Sequence, residues 1–222
     1  MKWQLRLLFG TLSLLQCAAV CAQSVTVQAG NIYFTPGSGG PRRQLTRSGL
    51  DRAPRLSSDG TLVVFVRSTP GAETDSALSD VELTELRTIR VDGSDERLRL
   101  RGRSESAAES ALADFGNPSF APDASRIYFE SVGWVTSRAV QELDLATGRV
   151  RFVCPGEIKA IVPGGQYVGH LVVFQHRYLV GGGSYDWAWL IAPDGHEVGP
   201  LGDPSDPEFQ RRLADVLGSG KN

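Results

Sequence analysis

Apolar and polar residues alternate along most of this chain in short runs, each closed by glycine, proline or aspartate. Four stretches read as hairpins, two alternating strands around a turn: IYFTPGSGGPRRQLT from Ile32, TIRVDGSDERLRL from Thr88, VQELDLATGRVRFV from Val140 and WLIAPDGHEVGPL from Trp189. Asp92-Gly93 and Asp194-Gly195 are strong hairpin-turn signals, and Thr147-Gly148 serves the same purpose. Between hairpins stands a second pattern, PRLSSDGTLVVF from Pro54, which returns 64 residues later as PSFAPDASRIYF from Pro118. The two copies share a proline (Pro54, Pro118), an aspartate (Asp59, Asp123) and a closing phenylalanine (Phe65, Phe129).

The phrase has a physical reading. Proline starts an extended segment without needing a ladder hydrogen bond, the aspartate accepts from backbone two residues on, and Gly60 tolerates positive φ. That predicts a strand, a tight turn and a second strand. IVPGGQYVGHLVVFQ from Ile161 is a worn third copy, with Pro163-Gly164-Gly165 at the turn. A hairpin followed by a phrase predicts a four-stranded antiparallel unit, and such units must stack to bury both faces. Three fair units and half of a fourth are present.

Two insertions stretch the spacing. Residues 69–85 are acidic and loop-like, and 104–115 hold Ser106 and Glu109 at capping-box spacing, which predicts a short helix. At the C-terminus, Ser205 or Asp206 caps a helix with Pro207 in its first turn, Phe209, Leu213, Val216 and Leu217 on one face, and Gly218 at its stop. An apolar helix face of this kind is expected to cover an open sheet.

Leu56-Ser57-Ser58-Asp59-Gly60 with Phe65, and Phe120-Ala121-Pro122-Asp123 with Phe129, resemble the Ser-Pro-Asp-Gly strand motif of TolB-like β-propellers. The resemblance covers most of 32–201 and implies an all-β propeller in which the phrase forms the inner part of each blade and the hairpin the outer part. It departs from the family at Ser58, where Pro is preferred, and at Ala124, where Gly is preferred. The third copy lacks the aspartate. TolB itself resembles a six-bladed propeller behind an N-terminal α/β domain, which this chain does not match. The expected fold is thus a small or incomplete propeller of about 3.5 to 4 blades over 23–204, with a helix and tail at 205–222.

Residues 1–22 read as a leader: Lys2 and Arg6 precede a short apolar stretch, and Val20-Cys21-Ala22 offers the small-residue pattern of a cleavage site. Leu14-Leu15-Gln16-Cys17 resembles a lipidation box only superficially, since Gln16 stands where a small residue is wanted. With the leader removed, 21 basic residues face 25 acidic ones, a net charge of −4, which argues against nucleic acid as a partner. Cys17 and Cys21 leave with it, so Cys154 is single and read as a buried strand residue. No later segment has the length of apolar sequence a membrane helix needs. The expected product is periplasmic or secreted.

Candidate chemistry is sparse. No Gly-x-Ser-x-Gly elbow is present, the nearest stretch being 182–186. His170 and His176 share a face only if one strand runs through both, and no metal site or cofactor is expected. Arg97, Arg99, Arg101 and Arg103 would line one face of a continuous strand and suit an anionic partner or lipid headgroup, balanced by Glu73, Asp75, Asp80, Glu82 and Glu85. Trp187 and Trp189 fall on one face, as core between blades or as a stacking platform. The motif implies a non-catalytic module for protein interaction or scaffolding in the envelope, with a homo-oligomer as one way to complete a ring. Two alternatives stand beside it: a small propeller enzyme, lactonase or glycan-processing, with carboxylates converging on the channel, and a truncated propeller without independent activity.

Overall fold

The computed structural model describes residues 22–37, 39–71, 81–103, 111–134 and 137–218. Its strands group into four antiparallel sheets in chain order. Sheet one holds β1 (Ser24–Gln28), β2 (Asn31–Thr35) and β3 (Arg43–Gln44). Sheet two holds β4 (Asp51–Leu56), β5 (Leu62–Ser68), β6 (Thr84–Arg90) and β7 (Arg97–Arg101). Sheet three holds β8 (Gly116–Phe120), β9 (Arg126–Trp134), β10 (Ser137–Asp144) and β11 (Val150–Pro155). Sheet four holds β12 (Glu157–Ile161), β13 (Leu171–Tyr178), β14 (Ser184–Ile191) and β15 (Glu197–Gly202), and helix α1 (Pro207–Gly218) follows.

Hydrogen bonding assigns each phrase to the hairpin after it, not to the one before. β5 pairs with β6 over seven residues, so the phrase from Pro54 and the hairpin from Thr88 form one sheet. The same holds for β9 with β10 and for β13 with β14. The expected unit is therefore shifted by half a sheet. The incomplete unit is the first, and the hairpin from Trp189 completes the fourth. β1 runs antiparallel to β4, since the Asp51 amide donates to the Gly30 carbonyl while Gln23 lies at the Gly60 turn. Sheet one thus lacks the innermost strand that β4, β8 and β12 supply to the others.

Apolar residues of successive sheets meet in layers. Ile32, Phe34 and Leu45 pack on Val63, Phe65 and Ile89; Val64, Val66 and Leu86 on Phe120, Ile127 and Phe129; Tyr128 and Val140 on Leu171, Val173 and Ile191. The far face of sheet four, Val172, Ala188, Leu190 and Leu201, is covered by Phe209 and Val216 of α1, with Leu213 and Leu217 beside them. Phe209 meets Phe174 edge-on at 6.0 Å. Asp206 caps the helix, its Oδ1 accepting from the Glu208 amide at 2.9 Å. Among the described residues no strand pairing and no apolar cluster joins sheet four to sheet one, so the stack is an open arc.

Two sequence expectations fall on undescribed segments. Ser106 and Glu109 lie there, while Ala111 and Leu112 just beyond are buried and Leu112 bridges to Arg103. Of the leader pattern at 1–22, all but Ala22 also lies outside the described residues.

Candidate functional site

The phrase residues build the inner edge of the arc. Pro54 and Pro118 are buried, each after a residue in left-handed backbone, Ala53 at φ 50° and Asn117 at φ 44°. Ala53-Pro54 together oppose Phe65, and Asn117-Pro118 together oppose Phe129: two residues against one, a β-bulge at the same place in both copies. Proline tolerates this position because it has no N–H to leave unpaired. Phe65 and Phe129 are fully buried between sheets.

The phrase aspartates hold turns. Asp59 accepts from the Ser57 hydroxyl at 2.6 Å and the Thr61 amide at 3.0 Å, which keep its carboxyl below the usual range. Asp123 accepts from the Ser125 amide at 3.0 Å and hydroxyl at 2.8 Å, with the same consequence. Gly60 adopts φ 70°, and Ala124 holds the equivalent place at φ 56°. Ser58, where the resembling family prefers proline, donates to the Pro122 carbonyl at 2.6 Å and ties the turn of one sheet to the next.

A groove of about 260 Å³ runs across β4, β8 and β12. Arg55, Ser119 and Lys159 supply its polar lining, and Leu56, Phe120 and Ile161 its apolar lining. Lys159 is held by Glu157 at 2.9 Å and lies over the Phe174 ring, whereas Arg55 reaches only the Pro54 carbonyl and has no carboxylate partner among the described residues. At one end stands a polar cluster that the sequence did not single out. Buried Glu130 accepts from Asn117 Nδ2 at 3.1 Å and from the Ile158 amide at 2.7 Å, joining sheet three to sheet four. Arg138 pairs with Asp114 at 2.9 Å, and its Nε lies 3.4 Å from Glu130 in an ion pair outside hydrogen-bond alignment. Asp114 also meets Arg52 at 3.3 Å. Each carboxylate here is engaged by a guanidinium or an amide, an arrangement that holds sheets together. The one local signal was Glu130, a charge directly after Phe129 where the first copy has Val66.

The arginine row is not a row. Leu86 pairs with Leu100 and Arg87 with Leu98, leaving Arg99 as a bulge that breaks the continuous strand. Arg97 pairs with Asp95 at 2.7 Å, Arg101 reaches Glu85 at 3.1 Å, and Arg99 turns in to the Thr88 hydroxyl, where burial lowers its pKa. Arg103 bridges to Leu112. Of the balancing acids, Glu85 and Glu82 bind arginines, and Glu73, Asp75 and Asp80 lie outside the described residues.

Trp187 and Trp189 share a face of sheet four, opposite Gln175 and Val173. Trp189 packs in the layer against sheet three with the Arg177 guanidinium 3.5 Å above its ring, and Trp187 stays more than a third exposed. The two histidines part company. β13 begins at Leu171, so His170 sits in the preceding loop against Tyr167, while His176 bonds Asp186 at 2.8 Å. Ser137 lines the same cavity as His176, yet the Asp186 side chain is 79% exposed, unlike the buried carboxylate that orients a hydrolytic histidine. Among the described residues no group of three or more His, Cys, Asp or Glu is placed to hold a metal.

No protein-family model matches the chain, and no curated protein matches it. Solved structures do. Dipeptidyl peptidase 4 from Porphyromonas gingivalis superposes with TM-score 0.54 at 11% identity, over 82% of this chain and 31% of that one. The putative TolB from Agrobacterium tumefaciens superposes with TM-score 0.50 at 16% identity, over 78% of this chain and 57% of that one. The fold is that of a β-propeller, similar to the one in these structures. At these identities the likeness concerns the fold alone, and a propeller hosts enzymes and binding modules alike. The chain spans less than two thirds of either relative, and its described residues form three four-stranded sheets and one of three strands.

Proposed function

We propose that this chain is an exported, non-catalytic propeller module that binds protein in the cell envelope through the groove of its inner strands. The observation that carries this reading is the groove itself: it opens across three inner strands between half-buried Leu56 and Ile161, beside Arg55, which has no carboxylate partner among the described residues, while nearby Asp114 is taken up by Arg52 and Arg138. A concave surface that mixes apolar side chains with Arg55, Asn117, Ser119 and Lys159 suits recognition of a partner segment. No carboxylate or histidine is among the residues that line the groove. The leader pattern at 1–22 supports export, and no helix among the described residues is long and apolar enough to cross a membrane.

Photo-cross-linking tests the reading. A photoreactive residue placed at Ser119 in the groove should yield one discrete protein adduct in the native envelope fraction, diminished by Arg55→Glu. The same probe at Thr147, on an exposed outer turn, should not yield it. Equal labelling from both positions, or no adduct at Ser119, would reject the groove as the binding surface.

A further inference from the structure

The turn between β13 and β14 carries a feature that the groove does not use. From Tyr178 to Tyr185 the sequence is YLVGGGSY, eight residues without a charge. Tyr178 is 70% exposed, Leu179 55% and Val180 107%, so the two aliphatic side chains stand out at the end of the hairpin. The turn is ordered by its own backbone: the Leu179 amide donates to the Gly183 carbonyl at 3.0 Å, and the Gly182 amide to the Leu179 carbonyl at 3.2 Å. Gly181, Gly182 and Gly183 adopt φ of 99°, 108° and 90°, a backbone other residues adopt only with strain.

Behind the tip the character of the hairpin changes. Aromatic rings come next, on both faces. His176 and Tyr178 meet edge-on at 4.9 Å on one face, and Tyr185 and Trp187 at 5.1 Å on the other. Polar groups share that level and are taken up by one another: Arg177, opposite Tyr185, pairs with Glu197, and Asp186, between Tyr185 and Trp187, is hydrogen-bonded to His176. An aliphatic tip followed by a zone that mixes aromatic rings with paired polar groups follows the polarity of a bilayer from acyl chain to headgroup, where tyrosine and tryptophan collect. A partner protein's cleft would engage one face of such a hairpin; a belt on both faces suits a medium that surrounds it.

We propose that the β13–β14 hairpin is a membrane-interface anchor that dips Leu179 and Val180 among lipid acyl chains. This goes beyond the groove reading and stands independently of it. With Arg177 taken up by Glu197 and no basic residue in the turn itself, the anchor needs no anionic lipid. Two aliphatic side chains bury less than one acyl chain, which alone gives only reversible binding, so attachment is weak and reversible and responds little to salt.

Flotation of the chain from Gln23 to Asn222 with phosphatidylcholine vesicles tests this. The protein is expected to float with vesicles at high lipid, nearly equally at low and high salt, and bromine-labelled acyl chains should quench its tryptophan emission. Val180→Asp lies at a fully exposed site, so the fold is retained, and it should cut floated protein at least fivefold. Leu98→Asp, at an exposed apolar position on sheet two, should leave flotation unchanged. Absence of flotation, flotation that survives Val180→Asp, or flotation that requires anionic lipid would overturn the proposal. So would a result in which Val180→Asp abolishes capture of a protein partner while vesicles are ignored, which would make the tip a protein-docking knob.

Discussion

The two ends of the arc solve one problem by different means. A stack of sheets always leaves two outer faces, and terminal repeats need a polar exterior or a cover. At the N-terminal end, sheet one turns Thr26, Gln28 and Tyr33 outward. Arg42 lies across that face, bonded to Gln28 at 2.9 Å and Thr26 at 3.2 Å with its guanidinium 3.9 Å above the Tyr33 ring. At the C-terminal end, sheet four turns out an apolar face, and α1 covers it. A polar face needs nothing further, whereas an apolar face makes the blade depend on a separate element. The contrast extends inward: on sheet two, Asp51, Arg67, Glu96, Arg87, Glu85 and Arg101 form a continuous ion chain. At the equivalent places in covered sheet three stand buried Ser131 and Gln141.

The comparison is broken most severely at the helix. Phe209→Ala removes the largest apolar group holding α1 to sheet four and should cost about 3 to 5 kcal/mol, with the far face open to a hydrophobic dye, measured by urea unfolding with dye titration. Phe129→Ala, between sheets two and three, should cost a similar amount without the dye signal in the folded state, which separates loss of core from loss of cover. At the polar end, Tyr33→Ala and Arg42→Ala together should cost about 1 kcal/mol or less, because an exposed stacked cation contributes little. Equal losses at both ends would erase the distinction.

Much of this was legible because a propeller repeat is local. The phrase and hairpins are short-range patterns, and their turn residues announce themselves: Asp59, Asp92, Asp123 and Asp144 each accept from a backbone amide two or three residues on. The frame was not legible, since hairpin-then-phrase and phrase-then-hairpin are the same string until one knows which segments share hydrogen bonds. Only β1, a single strand ahead of the first hairpin, distinguishes them. Arg99 escaped for a related reason: a bulge depends on how two strands pair. The Asn117, Glu130 and Ile158 cluster joins positions 13 to 41 residues apart, and no local pattern encodes it.

Smaller effects sharpen the picture of the turns and of the interior. Because their carboxyls are held below the usual range in the folded state, Asp59 and Asp123 contribute stability that is present above the ordinary aspartate value and is lost as pH falls through the folded one. The double substitution Asp59→Asn and Asp123→Asn should flatten that acid limb of a stability-against-pH curve. Cys154 lies between sheets three and four, and burial pushes its thiol up to about 12. Iodoacetamide at neutral pH should leave it unmodified in the native protein and label it at the rate this layer opens, followed by mass spectrometry. Rapid labelling in the native state would mean that the third layer is not closed.

The central claim is that the four described sheets form an open arc, its first sheet ending in a polar face and its last covered by a helix. Sedimentation equilibrium of the chain from Gln23, with and without residues 207–222, tests it most directly. The account predicts a monomer for the intact chain and concentration-dependent association once the helix is removed. An intact chain that sediments as a stable dimer, or a helix-deleted chain that stays monomeric and stable, would contradict it.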